Sequence, residues 1–258
     1  MPLLLGVVHL PPCPSAAGGV SGIEALLEAA LHDAHALREG GVDGVIVENY
    51  GDVPFHKGTR DDPAPPDVVA TLAIVAREVR TATGLSVGIN CLRNDACAAL
   101  GAAAAAGATW VRVNVLTGAM VTDQGVIEGE AARVAAYRRQ LGIEVTLLAD
   151  LLVKHAVPLG PVEPLVVARD LAARSGADGL IVTGARTGAP VDGAFLREVR
   201  AAVAPFPVWI GSGLDEHNAA VLWPHCDGAI VGTALKQGGV TKAPVDPARV
   251  RRLRTLCS

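Results

Sequence analysis

One short pattern recurs four times along the chain and constrains its fold more than any other feature. Each copy has a Gly or Cys, a polar residue and then a run of apolar or β-branched residues. The copies are GVDGVIV at 41–47, GATWVRV at 107–113, GADGLIV at 176–182 and CDGAIV at 226–231. A helix that ends at glycine, a tight turn and a strand buried on both faces give such a pattern. The repeat therefore predicts parallel strands that alternate with helices.

Eight apolar runs are predicted as strands. They are Leu3–Val8, Gly44–Val47, Leu85–Ile89, Trp110–Val113, Val145–Ala149, Gly179–Val182, Val208–Ile210 and Gly228–Val231. The 258 residues match the typical length of an eight-stranded α/β barrel. An open doubly wound sheet is the alternative, but its dinucleotide-binding version would carry G-x-G-x-x-G after the first strand, and this chain does not. We therefore expect one α/β domain over residues 1–258, a (β/α)8 TIM barrel.

Capping residues predict where the intervening helices begin. Ser21 forms a capping box with Glu24 before the first helix. A further helix is predicted over Asp67–Thr83, and the Pro-, Asp- and Gly-rich segment 48–66 and the segment 116–127 are predicted as long loops. The other helix start signals are Asn94, Asp192, Asp215 and Pro247.

Composition and charge narrow the kinds of partner. The formal net charge is −4 and the chain has no long run of Lys or Arg, so nucleic acid is not an expected partner. The five cysteines form no C-x-x-C pair, and we expect a protein of the reducing cytoplasm. No apolar stretch is long enough to span a bilayer, which leaves peripheral membrane association as the alternative.

Polar residues collect where the predicted strands end. In a TIM barrel these positions form the active-site mouth. The residues are His9, Glu48, Asn90 with Arg93, Asn114, Asp150 with Lys154 and His155, and Thr183 with Gly184, Arg186 and Thr187. Capping of the next helix is an alternative role for each Asn or Thr, but it accounts poorly for carboxylates and amines beside a core. Asp150, Lys154, His155 and Glu48 are therefore the predicted catalytic residues, and His9, Asn90, Arg93, Asn114, Thr183 and Gly184 are predicted to bind ligand.

Two strand ends predict an anion site. VWIGSG at 208–213 and AIVGTA at 229–234 each end in glycine beside a small hydroxyl residue. The loops after the seventh and eighth strands of a TIM barrel are the usual phosphate site. The predicted ligand-binding residues here are Gly211, Ser212, Gly213, Gly232 and Thr233. We expect a small phosphorylated or anionic molecule as the partner.

Several established catalytic motifs are missing from the sequence. It contains no G-x-x-x-x-G-K-[ST], no H-E-x-x-H and no G-x-S-x-G. No cofactor is predicted. Convergence of His9, Glu48, Asp150 and His155 on one divalent metal ion remains an alternative.

Seven stretches in order carry a family resemblance. They are GVVHLPPCP, GVDGVIVENYGDVPF, VGINCLRNDA, VRVNVLTGAMVTDQGVIEG, LADLLVKHAVPL, GLIVTGARTG and VWIGSGLDEHN. Together they resemble the BtpA/SgcQ family over nearly the whole chain, which implies a TIM barrel. The family takes its name from a cyanobacterial protein needed for accumulation of photosystem I, and another branch lies among bacterial sugar-uptake genes. GSG at 211–213 and GT at 232–233 are also similar to the phosphate-binding barrels.

Two functions are consistent with these observations. The first is a lyase, isomerase or hydrolase that acts on a phosphosugar or a nucleotide-like metabolite, with Asp150 as the central carboxylate and Lys154 and His155 as its partners. The second is a non-catalytic assembly or stability factor for a membrane complex such as photosystem I. The 50% share of hydrophobic residues and the two long loops also favour a homo-oligomer.

Overall fold

The computed structural model describes residues 1–20, 22–184 and 190–257 of the chain. Within these ranges, eight parallel strands close into a barrel, and helices follow the strands, as the sequence predicts. In order around the barrel the strands are β1 (Leu3–His9), β2 (Gly44–Glu48), β3 (Ser86–Asn90), β4 (Trp110–Val113), β7 (Thr146–Asp150), β9 (Gly179–Val182), β10 (Val208–Ile210) and β11 (Gly228–Val231). The last strand pairs with the first through Leu3 and Gly228.

The strands that carry candidate site residues run one residue further than the sequence predicts. His9, Glu48, Asn90 and Asp150 are the last residues of their strands rather than the first residues of the following loops. His9 pairs with Glu48, and Glu48 pairs with Asn90, in the barrel ladder. Pairing with both neighbouring strands therefore fixes the position of Glu48, and pairing with β2 fixes His9 and Asn90.

The helices surround the barrel, and some begin at other residues than predicted. Their bounds are α1 Glu24–Gly40, α2 Pro66–Thr83, α3 Ala96–Ala106, α4 Ala131–Leu141, α5 Pro164–Arg174, α6 Gly193–Val203, α7 Ala219–Leu222 and α8 Pro247–Leu256. Asp192 caps α6 and Pro247 begins α8, as expected. The predicted residues Ser21, Arg186 and Thr187 lie outside the described residues. Of the helices in the described ranges, none combines the length and the hydropathy needed to cross a membrane.

Two predicted caps are wrong. The side chain that caps α3 is Asp95, whose carboxylate accepts a hydrogen bond from Ala98 N at 2.8 Å. Asn94 instead exchanges two hydrogen bonds with the backbone of Val115, at 2.6 and 2.9 Å. Asp215 accepts hydrogen bonds in the turn before α7, while α7 itself begins after Asn218. At α3 the neighbouring Asp95 satisfies the helix start in place of Asn94, whereas Asn218, the residue before α7, makes no side-chain capping hydrogen bond.

The predicted loop 116–127 contains a small antiparallel sheet. β5 (Ala119–Thr122) and β6 (Gly125–Glu128) form a hairpin, and β8 (Ala156–Pro158) pairs with the other side of β5. One face of this sheet buries Met120 and Ile127 against the residues after β4 and β7. The sequence carries a signal for it, because TDQG separates two short runs with alternating apolar residues.

Two tryptophans fill the bottom of the barrel opposite glycines. Trp110 and Trp209 belong to an interior cluster of apolar side chains. A Cβ placed on Gly228 would lie 2.4 Å from the Trp209 ring, and one on Gly44 would lie 2.8 Å from the Trp110 ring. Gly228 on the adjacent strand therefore makes room for the Trp209 indole, and Gly44, two strands away on β2, makes room for that of Trp110.

This packing predicts an energetic coupling between Gly228 and Trp209. Gly228→Ala overpacks the interior and is expected to cost about 1–3 kcal/mol, and Trp209→Ala about 3–5 kcal/mol. The double variant should be less destabilised than the sum, because the added methyl group occupies space that the indole leaves. Urea unfolding of the four proteins measures this coupling. Gly160→Ala, where an added Cβ meets nothing within 4 Å, is the control and should be nearly neutral. Strict additivity would contradict the packing argument.

Candidate functional site

A cavity of about 230 Å³ opens at the C-terminal ends of the barrel strands and is called the mouth cavity here. It brings together eight of the residues that the sequence predicts. They are His9, Glu48, Lys154, Gly211, Ser212, Gly213, Gly232 and Thr233. Arg112 and Tyr50 also line it and were not predicted. The sequence therefore predicts eight of the lining residues but not the buried cation Arg112.

Other predicted site residues do not line the mouth cavity. Arg93 donates a hydrogen bond to the Lys154 carbonyl at 2.8 Å, and Thr183 donates one to the Leu152 carbonyl at 3.3 Å. These two side chains therefore support the loop after β7. The remaining residues of this group are Asn90, Asn114, Asp150 and Gly184, which are buried, and His155, which is exposed.

Arg112 is a charged residue inside the barrel. It follows Trp110 by two positions on β4, so its side chain points to the interior as that of Trp110 does. Its Nε and Nη2 donate to the two carboxylate oxygens of Asp150 at 3.2 and 3.0 Å. Its Nη1 donates to the Gly211 carbonyl at 3.4 Å. A charge in the middle of WVRV is the signal that could have identified it, because burial of an unpaired guanidinium is costly.

The expected partners of Asp150 are wrong. Its carboxylate accepts hydrogen bonds from Arg112 and from Asn114 Nδ2, the latter at 3.0 Å, rather than from Lys154 or His155. Asn114 in turn accepts a hydrogen bond from Asn90 at 3.0 Å. Strand pairing places β4 beside β7 and aligns Arg112 with Leu148, two positions before Asp150. Side chains of β4 are therefore nearer to the Asp150 carboxylate than the residues of the following loop are. Of the predicted catalytic carboxylates, Glu48 is the one that lines the mouth cavity.

Glu48 and Lys154 have pKa values that are shifted toward neutrality. Burial raises the pKa of Glu48, although the positive charges of Arg112 and Lys154 oppose the shift. Burial also lowers the pKa of Lys154, and Arg112 lowers it further against the pull of Glu48 and Asp150. Burial lowers the pKa of Arg112 as well, but Asp150 and Glu48 outweigh this effect and raise it overall. Arg112 thus stays charged while its two neighbours become suited to proton transfer.

His9 stands beside Glu48 in the wall of the cavity. Its Nε2 lies 3.9 Å from Glu48 Oε1, and its ring lies 4.7 Å from the ring of Tyr50, centroid to centroid. Burial and the charges of Lys236 and Lys154 hold its pKa well below the usual value, so the imidazole is neutral. Its Nδ1 is buried and has no hydrogen-bond partner among the described residues. The Nδ1 atom of the neutral ring can therefore form a hydrogen bond with a ligand.

The glycine loops after β10 and β11 form the opposite wall. A Cβ on Gly232 would lie 2.7 Å from His9 Cε1, and one on Gly211 would lie 2.3 Å from Ile181. Ser212 lies between the glycines, and its hydroxyl is buried without a hydrogen-bond partner in the described parts of the chain. Thr233 begins a single 3₁₀ turn after β11 and shares a hydrogen bond of 2.9 Å with Thr241. We call this wall, Gly211 to Gly213 with Gly232 and Thr233, the anion cradle.

The alternative metal site is not supported by the geometry. The described residues contain no group of three His, Cys, Asp or Glu side chains placed to hold a metal ion. Of the four proposed ligands, Asp150 is engaged by Arg112 and His155 is exposed on the loop after β7.

The raised pKa of Glu48 predicts a pH-dependent effect on stability. A raised pKa in the folded state contributes stability that is present below the ordinary glutamate pKa and lost as the pH rises through the folded value. Glu48→Gln cannot ionise, so it should unfold at a higher urea concentration than the wild type at about pH 7. The difference should shrink toward about pH 4, below the unfolded pKa.

The exposed Glu78 provides the matched control, because Glu78→Gln should not alter stability in this pH-dependent way. A Glu48→Gln effect of equal size at both pH values would contradict the shift.

Comparison with known proteins gives one family and one fold. The BtpA family matches residues 2–258. The Photosystem I biogenesis protein BtpA of Synechocystis sp. is 45% identical over 247 residues, which cover 96% of this chain and 85% of that protein. The chain is also similar in structure to a thiamine phosphate pyrophosphorylase from Pyrococcus furiosus, with a TM-score of 0.60, 16% identity, and coverage of 99% of this chain and 95% of the other.

A second solved structure supports the same fold. Orotidine 5′-phosphate decarboxylase from Pyrococcus horikoshii matches with a TM-score of 0.59 and 15% identity, over 98% of this chain and 99% of the other. At these identities the structural likeness shows the TIM-barrel fold alone. The sequence match extends over nearly the whole chain, and the chain therefore belongs to the BtpA family.

Proposed function

We propose that the protein is an enzyme that acts on a small phosphorylated metabolite bound in the mouth cavity. The observation that carries the proposal is the buried hydroxyl of Ser212, which has no hydrogen-bond partner among the described residues, in a cavity that also contains Glu48 and Lys154. An anion acceptor in the cradle would satisfy the hydroxyl, and the two ionisable groups would face the rest of the ligand. Support comes from the solved structures of similar fold, whose names refer to phosphorylated compounds.

Three cations of the cavity are available to a phosphate. They are Arg112, Lys154 and Arg249, which line the cavity together with the carboxylates Glu48, Asp215 and Glu216. The Nε of Arg249 donates a hydrogen bond of 2.7 Å to the Ala234 carbonyl. Small residues in the cradle let backbone approach an anion closely, as in other TIM-barrel phosphate sites. In this proposal the phosphate is bound by the cradle, and the reacting carbon lies toward Glu48.

Proton transfer is the chemistry that we assign to the pair Glu48 and Lys154. Glu48 removes a proton from a carbon beside a carbonyl group, and the electron pair moves to the carbonyl oxygen. The ammonium of Lys154 and the guanidinium of Arg112 stabilise the resulting negative charge. Where that carbon carries a hydroxyl group, transfer of the hydroxyl proton to the former carbonyl oxygen and return of the abstracted proton to the neighbouring carbon complete an isomerisation. In the lyase alternative the electron pair returns from the oxygen, and a β-substituent leaves with its bonding electrons and takes up the abstracted proton from Glu48. Both outcomes need only residues that line the mouth cavity.

Asp150 is a positioning residue in this scheme. Its two carboxylate oxygens orient Arg112, and Asn114 and Asn90 extend the network. Arg93 holds the backbone of Lys154. We assign no step to His155.

One experiment separates binding from chemistry. Ribose 5-phosphate at about a hundred times its Kd should stabilise the wild type by about 2.7 kcal/mol. Ser212→Ala should weaken binding, and Ser212→Asp should abolish it by placing a carboxylate against the phosphate. Ser86→Asp, an equal change on an exposed residue at the start of β3, is the control.

Glu48→Gln should still bind the ligand but reduce turnover by about 10²–10⁴-fold.

Turnover is measured as deuterium incorporation from heavy water into a panel of phosphorylated aldoses and ketoses, followed by proton NMR. Binding that is unchanged in both Ser212 variants would refute the cradle. A complete lack of binding by the wild type would instead favour the non-catalytic role that the name of the Synechocystis relative suggests.

We also propose that the chain forms a homo-oligomer through the outer face of the small sheet. Val121 is paired with Val126 on one side and Val157 on the other, and all three are exposed. An isologous contact between two such rows would bury them. Light scattering should give a mass above 26.3 kDa, and Val157→Lys should lower it. Val240→Lys, at a similarly exposed valine elsewhere, should not. A monomeric mass for the wild type at micromolar concentration would end this proposal.

A further inference from the structure

A second, larger cavity lies beside the mouth cavity and shares His9 and Tyr50 with it. Its volume is about 610 Å³, against about 230 Å³ for the mouth cavity. We call it the lateral cavity. It is formed by the segment after β1, by α1 and by the segment between β11 and α8. A sugar phosphate in the mouth cavity would therefore have space to extend past His9 and Tyr50.

The walls of the lateral cavity are mainly small and apolar. Pro11 and Pro12 come from the segment after β1, and Ala25 and Ala29 stand one turn apart on α1. The ring of Tyr50 adds an aromatic surface at the junction with the mouth cavity. Rigid prolines, alanine methyls and an aromatic ring offer flat contact surface at little cost in side-chain entropy. Such a lining suits a planar ring better than a flexible polar chain.

A buried cation in the same cavity supplies hydrogen-bond donors. Lys236 is only 1% exposed and forms an ion pair with Asp33, whose other oxygen accepts a hydrogen bond from Val245 N at 2.8 Å. A lysine ammonium has three N–H donors, and Asp33 is its acceptor in the described residues. The remaining N–H donors of this buried ammonium favour a ligand that carries hydrogen-bond acceptors.

Two contacts join the lateral cavity to the anion cradle. His9 lines both cavities, and its buried Nδ1 has no hydrogen-bond partner in the described ranges. Thr241 lines the lateral cavity and shares its hydrogen bond with Thr233 of the cradle. One molecule that fills both cavities would thus contact a continuous surface.

We propose that the lateral cavity binds a planar aromatic heterocycle that belongs to the same molecule whose phosphate occupies the anion cradle. The substrate class is then a phosphorylated ribosyl compound with a nitrogen-containing ring, as in a nucleoside monophosphate, rather than a simple sugar phosphate. The faces of the ring pack against the apolar wall, and its ring nitrogens or carbonyl oxygens accept from Lys236. This inference rests on the proposed phosphate site and adds the identity of the second part of the ligand.

The test compares ligands that differ only in the ring. Isothermal titration calorimetry measures the Kd of ribose 5-phosphate, adenosine 5′-monophosphate and uridine 5′-monophosphate. The better nucleotide should bind the wild type at least about tenfold more tightly than ribose 5-phosphate does. Ala29→Trp fills the lateral cavity and should remove this advantage while leaving the Kd of ribose 5-phosphate unchanged. Both Ala29 and Ala70 are exposed helix residues, and Ala70→Trp on α2, outside both cavities, should keep the advantage.

Each result is decisive for one of the two proposals. Equal affinity of the wild type for the nucleotides and for ribose 5-phosphate would overturn the lateral ring site while leaving the phosphate site in place. An advantage that survives in Ala29→Trp would do the same. If none of the three compounds binds the wild type, the phosphate site itself is refuted, and the lateral site is refuted with it.

Discussion

The ion pair between Arg112 and Asp150 is the interaction on which the site depends. Both residues are 3% exposed, so neither charge would be tolerated alone in the barrel interior. The paired guanidinium also bonds to the carbonyl of Gly211 and thereby ties the centre of the barrel to the anion cradle. Its charge opposes the rise in the pKa of Glu48 and contributes to the fall in that of Lys154. One buried charge thus influences the protonation of both proposed proton-transfer groups.

Much of the fold follows from local sequence patterns, but the small sheet does not. The Gly–polar–apolar repeat marks the buried strands because both faces of a parallel barrel strand are covered, and this leaves continuous apolar runs. The small sheet is buried on only one face. Its strands at 119–122 and 125–128 contribute two buried side chains to that face, Met120 and Ile127. So weak a periodicity within a long polar segment is easily assigned to a loop.

Site residues at the ends of strands could be predicted from the sequence. Residues whose contacts depend on the register between strands could not. His9, Glu48 and the cradle glycines follow from the rule that barrel chemistry lies at the carboxyl ends of strands. Arg112 lies within its strand, and its pairing with Asp150 requires the register that aligns Arg112 with Leu148. The walls of the lateral cavity lie even further apart in sequence, on α1 and on the segment before α8. Contacts between residues so far apart form through tertiary packing, and no short sequence pattern predicts them.

The closure of the barrel also determines when the site first exists. The mouth cavity needs residues of both β1 and β11, which pair with each other, and the ion pair of Asp33 with Lys236 spans 203 residues of sequence. A chain emerging from the ribosome therefore carries its first strand with one open edge until nearly all of the protein has been synthesised. Throughout that time Glu48 and His9 have no opposite wall. A nascent chain of this protein is thus without a complete mouth cavity until its last strand joins its first.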